Sequence, residues 1–220
     1  MAALSQGTVA FVAAMECEAG CVTARLANAV ETREFGRRVV RGLLGRRSAM
    51  VVVSGIGKAN AAAAAQFAVQ SGASELASVG VCGGFEPGMK PGDVYEVDRA
   101  VQYDFDLSAV DDKGPGFIDG RDTPYFALAA CGLFPAKTLG TGDRFTESDA
   151  DFPLLRRLGV GLRDMEGAAV AQVAETAGIP CRAIKCVTNT IGETAGAQYS
   201  GNLVRSLEAL SKAVAEAWNI

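Results

Sequence analysis

Short apolar runs rich in β-branched residues alternate with alanine-rich stretches along the chain. Such runs are typical of strands buried on both faces, and their alternation with helical patterns predicts an α/β fold with a central twisted mixed sheet flanked by helices. The predicted strands span residues 8–13, 39–44, 49–53, 76–81, 93–101, 137–141 and 182–188. Repeats and breaks in composition are absent from the sequence, so we expect residues 1–220 to form a single domain.

Helices are predicted over residues 58–70, over 165–177 and along the C-terminal stretch. In that last stretch, large apolar residues recur at helical spacing with Lys and Glu between them: Leu203, Leu207, Leu210, Val214 and Trp218. The pattern predicts an amphipathic helix packed on the sheet. Glycine and proline cluster at 83–92 and 114–124, which indicates loops, and the second is long enough to form a lid or an interface.

Charge and apolar content narrow the class of protein. The 220 residues carry 25 acidic against 21 basic side chains, a net charge of −4, which has the wrong sign for a nucleic-acid partner. No apolar run approaches the ~20 residues that cross a bilayer, and the first residues lack the pattern of a signal peptide. Six cysteines without a CxxC pair indicate buried thiols in a reducing compartment. We therefore expect a cytoplasmic protein without a membrane partner.

The absence of histidine limits the chemistry. Ser-His-Asp and Cys-His catalysis are excluded, so acid–base steps must use carboxylates, Lys, Tyr, Cys or water. The segment SGIGK at 54–58 is not a phosphate loop, because Val52 and Ala59 stand where that motif needs Gly and Ser or Thr. The GVCGG segment at 80–84 lacks the spacing of a dinucleotide site. The sequence predicts neither a cofactor nor a metal.

Acidic residues occur where strands are predicted to end. Glu18 follows the first strand, and Asp164 and Glu166 precede an apolar helix. Each of these alone is explained as a charge at a helix start, favoured by the helix dipole.

Seven short segments follow one another over essentially the whole chain: AMECE at 14–18, SGIGKAN at 54–60, GVCGG at 80–84, KPGDV at 90–94, GDRF at 142–145, DMEGAA at 164–169 and VTN at 187–189. Together they resemble the methylthioadenosine/S-adenosylhomocysteine nucleosidases, within the nucleoside phosphorylase superfamily. The resemblance implies an enzyme that cleaves the N-glycosidic bond of a 5′-substituted purine nucleoside through an oxocarbenium-like transition state, without a cofactor.

The resemblance also implies roles for single residues. Glu18 matches the carboxylate that activates the attacking water, and Glu166 matches the acceptor of the ribose 2′- and 3′-hydroxyls. An ionised carboxylate has two acceptor oxygens, which suits a vicinal diol. Met165 matches a residue beneath the sugar, and Phe145 matches the aromatic that stacks on the base. The further substrate-binding positions are Val81, Val110, Thr146 and Asp164, the last of which is usually Glu in the family.

The loop at 103–115 corresponds to a stretch that, in the family, meets the neighbouring subunit and lines its 5′-substituent pocket. Val110 stands where the family often has Phe, and the loop is shorter by a few residues. The resemblance therefore implies a homodimer with an altered 5′-pocket.

The sequence leaves three functions open: hydrolysis of a nucleoside, its phosphorolysis, and nucleoside binding with weak catalysis. Hydrolysis is favoured over phosphorolysis. Ser78 stands where phosphorylases carry an arginine, and the acidic segment at 15–18 would repel phosphate. In the turn at Gly80, Val81 stands where phosphorylases carry a hydroxyl side chain and where nucleosidases of the family usually keep Ser. The alternatives are a purine nucleoside phosphorylase and a catalytically weak nucleoside-binding protein.

The second residue assigned to catalysis is Asn189, where the methylthioadenosine nucleosidases carry Asp. A protonated Asp donates to purine N7 and accepts from the adenine amino group, whereas an amide offers one NH₂ donor and one carbonyl acceptor. That pair matches a 6-oxopurine, with NH₂ donating to O6 and the carbonyl accepting from a protonated N7. Superfamily members acting on 6-oxopurines, including the futalosine hydrolases, carry Asn here. The alternative is that Asn189 is a tolerated substitution in a slow adenine nucleosidase. A mismatched base would cost about 1–3 kcal/mol for each unpaired group.

Overall fold

The structure is a computed structural model that describes residues 7–110, 112–118, 120–145, 151–190 and 195–220. In these ranges the strands are β1 (Thr8–Ala13), β2 (Ala27–Glu34), β3 (Arg37–Leu44), β4 (Arg47–Val53), β5 (Ala73–Gly84), β6 (Val94–Gln102), β7 (Phe126–Ala127), β8 (Ala136–Thr141), β9 (Val160–Asp164) and β10 (Cys181–Thr190). The helices are α1 (Glu16–Thr23), α2 (Lys58–Gln70), α3 (Phe152–Arg157), α4 (Gly167–Ala177) and α5 (Ala195–Ala217).

The strands form one mixed sheet in the order β10-β6-β8-β9-β5-β1-β4-β3-β2, with β7 beside β6. β1 runs parallel to both β4 and β5, whereas the β2–β3 and β3–β4 pairs are antiparallel. Because β10 also pairs with β5, the strands β5, β10, β6, β8 and β9 close into a ring. The expected α/β class with a central mixed sheet is confirmed.

Helices cover both sides of the sheet. The alanines of α2 pack with α4 in one core, and α1 and α5 pack in a second core. Ala61, Ala64, Ala65 and Ala68 have no exposed surface. Their small side chains leave room for α2 and α4 to contact each other. Fully burying each larger apolar side chain, such as Leu210 of α5, contributes about 1.5–3 kcal/mol.

Several elements depart from the sequence-based expectations. The strand β2 was not predicted, because ANAVETRE is polar and almost wholly exposed. The short strands β7 and β9 and the helices α1 and α3 were also missed. The helix predicted over 165–177 begins at Gly167, since Glu166 is its N-cap, with a φ of −137°. The loop predicted from residue 83 starts later, because β5 continues to Gly84.

Two further features concern the environment of the chain. Within the described ranges, no helix is both long enough and apolar enough to span a membrane. All six cysteines are free thiols.

Candidate active site

A cavity of about 210 Å³ opens at the edge of the sheet where β1, β5 and β10 end. Open α/β sheets bind ligands outside the carboxyl ends of their strands, because the loops and helix starts converge there. Seven of the residues that the sequence analysis assigned to the site line this cavity: Glu18, Val81, Phe145, Asp164, Met165, Glu166 and Asn189. The ring of strands therefore brings together positions that are more than 160 residues apart in sequence.

Glu18 projects from the first turn of α1 and is 3% exposed. Its Oε1 accepts a hydrogen bond from the Val81 N–H at 2.8 Å, and its Oε2 accepts one from the Met15 N–H at 3.0 Å. A Cβ atom on Gly80 would lie 2.6 Å from Oε1, so only glycine leaves space for the carboxylate. Burial raises the pKa of Glu18, although the positive charge of Lys185 opposes this.

Lys185 of β10 is a buried cation among these carboxylates. It is 2% exposed, and its Nζ lies 2.8 Å from Asp164 Oδ2. Burial alone would lower the pKa of Lys185, but the negative charges of Asp164 and Glu166 outweigh it and raise that pKa. Asp164 also accepts hydrogen bonds from the Thr141 hydroxyl at 2.6 Å and from the Gly167 N–H at 2.8 Å. Asp164 is thus held within the protein rather than directed at a ligand.

Glu166 is the N-cap residue of α4, and its side chain is held by the glycine-rich segment at 54–58. Its Oε1 accepts a hydrogen bond from the Gly57 N–H at 2.8 Å. Gly57 has a φ of +99°, a backbone conformation that glycine adopts without strain. Burial, reinforced by the negative charge of Asp164, raises the pKa of Glu166 from 4.5 to about 7. This segment therefore positions a carboxylate instead of cradling a phosphate.

Asn189 lies on β10 beside Gly83 of β5 and is 7% exposed. Its Oδ1 is 2.9 Å from the Thr188 hydroxyl, which also lies 3.2 Å from the Cys82 carbonyl oxygen. The Nδ2 atom is 3.4 Å from the position that a Cβ on Gly83 would take. The amide therefore turns its oxygen toward Thr188 and its NH₂ group toward Gly83 at the cavity wall.

Aromatic side chains form the outer part of the cavity. Phe145 and Tyr199 make an edge-to-face pair with ring centroids 5.4 Å apart, and Phe145 is 45% exposed. The Tyr199 hydroxyl lies 3.2 Å from Met15 Sδ. An exposed ring at a cavity mouth offers a flat apolar face to a planar ligand.

One predicted position, Val110, does not line the cavity, and its side chain is 83% exposed on the surface. Thr146 lies outside the described residues. Within the part of the chain that is described, no cluster of three or more His, Cys, Asp or Glu side chains has the arrangement of a metal site.

Sequence reasoning missed three residues that shape the site: Lys185, Arg163 and Tyr199. Lys185 had a usable signal, because a lone lysine inside an apolar strand pattern needs a buried counter-charge. Arg163 was missed because the strand that carries it, β9, was not predicted. Tyr199 stands in a polar stretch whose helical spacing indicates no cavity.

Fold and site together define an α/β protein with a carboxylate-rich cavity at the strand ends. Residues 8–218 match the model of the phosphorylase superfamily, and the chain belongs to that family. The resemblance inferred from the seven segments is confirmed.

Two relatives show which activities occur close to this chain. A 5′-methylthioadenosine/S-adenosylhomocysteine nucleosidase of Anoxybacillus flavithermus is 26% identical over 207 residues, covering 87% of this chain and 89% of the relative. An aminodeoxyfutalosine nucleosidase of Campylobacter jejuni is 28% identical over 171 residues, covering 71% and 74%. Both relatives are nucleosidases.

A solved structure shows the same fold. The 5′-methylthioadenosine/S-adenosylhomocysteine nucleosidase of Neisseria meningitidis, in complex with methylthio-immucillin-A, superposes with a TM-score of 0.88 at 25% identity. The superposition covers 96% of this chain and 98% of that one.

Proposed function

We propose that this chain is a purine nucleosidase that hydrolyses the N-glycosidic bond of a 5′-substituted purine nucleoside, with a 6-oxopurine such as that of inosine or futalosine as the favoured base. The observation that carries the proposal is a pair of carboxylates, the buried Glu18 and the half-buried Glu166, in one cavity with Asn189. The relatives from Anoxybacillus flavithermus and Campylobacter jejuni, both nucleosidases, support the same class of reaction.

Glu18 is the general base of the proposed reaction. Both of its oxygens are fixed by backbone N–H groups, which points the remaining lone pairs into the cavity. Burial raises its pKa, which strengthens the carboxylate as a proton acceptor. A water molecule that gives its proton to Glu18 would attack C1′ of the ribose.

Glu166 holds the sugar in the proposed complex. One of its oxygens accepts from Gly57, so the carboxylate is oriented before substrate binds. When ionised, it accepts hydrogen bonds from both hydroxyls of the ribose. Met165, the preceding residue, lines the cavity and supplies the apolar surface beneath the sugar.

Asn189 supports the preference for a 6-oxopurine. Oδ1 accepts from the Thr188 hydroxyl with one lone pair, which leaves the NH₂ group free to donate to O6 and the second lone pair of Oδ1 to accept from a protonated N7. An O6 atom accepts from that group, whereas an adenine amino group would place two donors against each other. Adenine binding would require the amide to turn over and the Thr188 proton to go to the Cys82 carbonyl oxygen.

Hydrolysis is favoured over the phosphorylase alternative by the charges around Glu18. The negative charges that act on Glu18 or are acted on by it include Asp164 and Glu166, and the buried cation among them, Lys185, is already paired with Asp164. These carboxylates would repel phosphate, a dianion, and so weaken its binding. A further alternative, a nucleoside-binding protein without turnover, draws support from Asn189 and Val81, but the carboxylates of Glu18 and Glu166 in the same cavity count against it.

Release of free base tests the proposal directly. The panel contains methylthioadenosine, S-adenosylhomocysteine, adenosine, inosine and futalosine, each with and without phosphate. We expect base release that does not need phosphate and that is fastest for a 6-oxopurine. Turnover that requires phosphate would identify a phosphorylase, and tight binding without released base would identify a binding protein.

The Asn189→Asp variant tests the base preference separately. We expect the ratio of adenine to hypoxanthine release to rise by about 5- to 150-fold, because one mismatched polar pair is worth about 1–3 kcal/mol. Asn219→Asp, at an exposed position, adds the same charge away from the cavity and serves as the control. An unchanged ratio of the two rates would show that Asn189 does not select the base.

We infer that residues 1–220 form one domain, supported by the single sheet that joins the described strands. We propose a homodimer in which the exposed Val110 completes the neighbour's 5′-pocket. The six free thiols support a cytoplasmic location.

A further inference from the structure

Lys58, Asp104 and Asp143 form a closed ring of hydrogen bonds beside the cavity. The Lys58 N–H donates to Asp143 Oδ1 at 2.8 Å, and the Asp143 N–H donates to Asp104 Oδ2 at 2.9 Å. The Lys58 ammonium closes the ring, with Nζ 2.5 Å from Asp104 Oδ1. These three residues, the charged ring, do not line the cavity, and the proposed reaction does not use them.

The charged ring joins three segments that are distant in sequence. Lys58 is the first residue of α2, Asp104 comes two residues after β6, and Asp143 comes two residues after β8. Because β6 and β8 pair in parallel, the segments that follow them leave the sheet at the same edge. Two of the three segments carry cavity residues, Ile56 ahead of Lys58 and Phe145 after Asp143. The charged ring therefore lies directly behind the cavity wall.

The backbone of Gly57 connects the charged ring with the carboxylate that holds the sugar in the proposed complex. The Gly57 N–H donates to Glu166 Oε1 at 2.8 Å, and the next N–H, that of Lys58, donates to Asp143. A Cβ atom on Gly57 would lie 3.2 Å from Asp143 Oδ1, so that carboxylate packs closely against this glycine. Glycine has more conformational freedom than any other residue, so contacts from outside the segment must fix the direction of its N–H. The charged ring supplies such contacts.

Asp104 is the member of the charged ring on which the other two depend. Each of its carboxylate oxygens accepts from a different partner, Lys58 or Asp143. The ion pair with Lys58 is partly buried, with side-chain exposures of 18% for the lysine and 15% for the aspartate, whereas Asp143 is exposed. Because water screens an exposed contact, the ion pair is the stronger link. Loss of the Asp104 carboxylate removes this link and weakens the second at the same time.

We propose that Asp104 is a positioning residue for ribose binding, an inference that rests on the proposed function. Through the other two members of the charged ring it fixes the Gly57 N–H against Glu166. Glu166 in turn accepts hydrogen bonds from the ribose 2′- and 3′-hydroxyls. An acceptor that is oriented before the substrate arrives loses less conformational freedom on binding, which improves affinity. Asp104 therefore strengthens ribose binding without touching the substrate.

Three variants of this segment test the proposal. Asp104→Asn removes the charge and keeps the size of the side chain. An amide has one acceptor oxygen and one donor NH₂ group, so it places two donors against each other at either Lys58 or Asp143. Asp104→Glu keeps the charge and both acceptor oxygens. The control is Asp106→Asn, which removes the same charge two residues along the chain, where the carboxylate accepts from the Ser108 N–H of its own turn.

Two measurements follow the effect from the backbone to the substrate. Amide hydrogen exchange of residues 54–60, read by mass spectrometry, reports whether the N–H groups of Gly57 and Lys58 stay bonded. Steady-state kinetics give kcat and KM separately for the nucleoside of the panel that the wild type cleaves fastest. The two constants are separated because weaker ribose binding raises KM, whereas a smaller folded fraction lowers the apparent kcat and leaves KM unchanged.

We expect Asp104→Asn to speed exchange in this segment and to raise KM by about 10-fold, near the lower end of what a lost hydrogen bond to a charged group costs. The kcat of the variant is expected to stay within about 3-fold of the wild type, because the proton acceptor Glu18 is untouched. Asp104→Glu should recover part of the loss in KM, and Asp106→Asn should leave both exchange and KM unchanged.

Three results overturn the inference in different ways. An active wild type whose Asp104→Asn variant keeps its KM, or loses only kcat, refutes the positioning role. A raised KM without faster exchange at 54–60 also refutes it, because Asp104 then acts by another route. A wild type that releases no base from any nucleoside of the panel refutes the proposed function, and the inference with it.

Discussion

Replacing Glu166 with glutamine removes the cost of burying the charge of this carboxylate and keeps its hydrogen bond. The pKa of Glu166 is raised from 4.5 to about 7, first by burial and then by the charge of Asp164. Each pKa unit corresponds to about 1.4 kcal/mol, so ionised Glu166 destabilises the folded state by up to about 3 kcal/mol. A glutamine removes that cost, while its carbonyl oxygen can still accept from the Gly57 N–H.

The sign of the effect depends on pH. Below pH 4.5 the carboxyl is protonated in both the folded and the unfolded state, so Glu166→Gln should change the free energy of unfolding little. Between pH 4.5 and about 7 only the unfolded state loses the proton, and wild-type stability falls as the pH rises. Above pH 7 the full difference in the free energy of unfolding between Glu166→Gln and the wild type is present. For a domain of this size, about 3 kcal/mol corresponds to a Tm difference of roughly 6–12 °C.

Thermal unfolding of both proteins between pH 4 and pH 8 measures this difference. Glu216→Gln, on the exposed face of α5, removes the same charge at the surface and serves as the control. We expect Glu166→Gln to be more stable than the wild type at pH 8 and nearly equal to it at pH 4. A difference that does not vary with pH, or a less stable variant at pH 8, would refute the reasoning.

Three other substitutions test the site. Glu18→Gln should lower kcat by about 10²–10⁴-fold while nucleoside binding, measured by calorimetry, stays within a few-fold, because only the proton acceptor is lost; retained turnover would exclude Glu18 as the base. Lys185→Met should lower the free energy of unfolding by about 3–5 kcal/mol, since it leaves Asp164 buried without its cation. Denaturant unfolding should show that adding Asp164→Asn restores part of that stability, and additive losses would contradict the pairing. Gly80→Ala should lower kcat strongly by displacing the Glu18 carboxylate, whereas Gly20→Ala, which has open space around it, should not; equal activities of the two variants would contradict the close approach.

Those features of the protein that depend on local pattern follow from the amino-acid sequence alone. The predicted strand at 8–13 and the predicted helix at 58–70 coincide with β1 and α2, because continuous apolar runs and helical alanine spacing are properties of neighbouring residues. The lack of histidine is a property of composition, and it is enough to direct acid–base chemistry toward carboxylates. The ordered segments then indicate Glu18, Glu166 and Asn189, all three of which line the cavity.

Which side chains face one another is settled only when distant strands pair. The sequence does not show that β9 pairs with β5, so it could not place Arg163 beside Asn189 across Gly83. It also could not match Lys185 with Asp164, since each is a buried charge whose partner depends on strand order. Burial and neighbouring charge set the pKa of Glu166, and both arise only when the ring of strands closes. Periodicity is a local property of the chain, whereas register and charge pairing are long-range properties of the folded sheet.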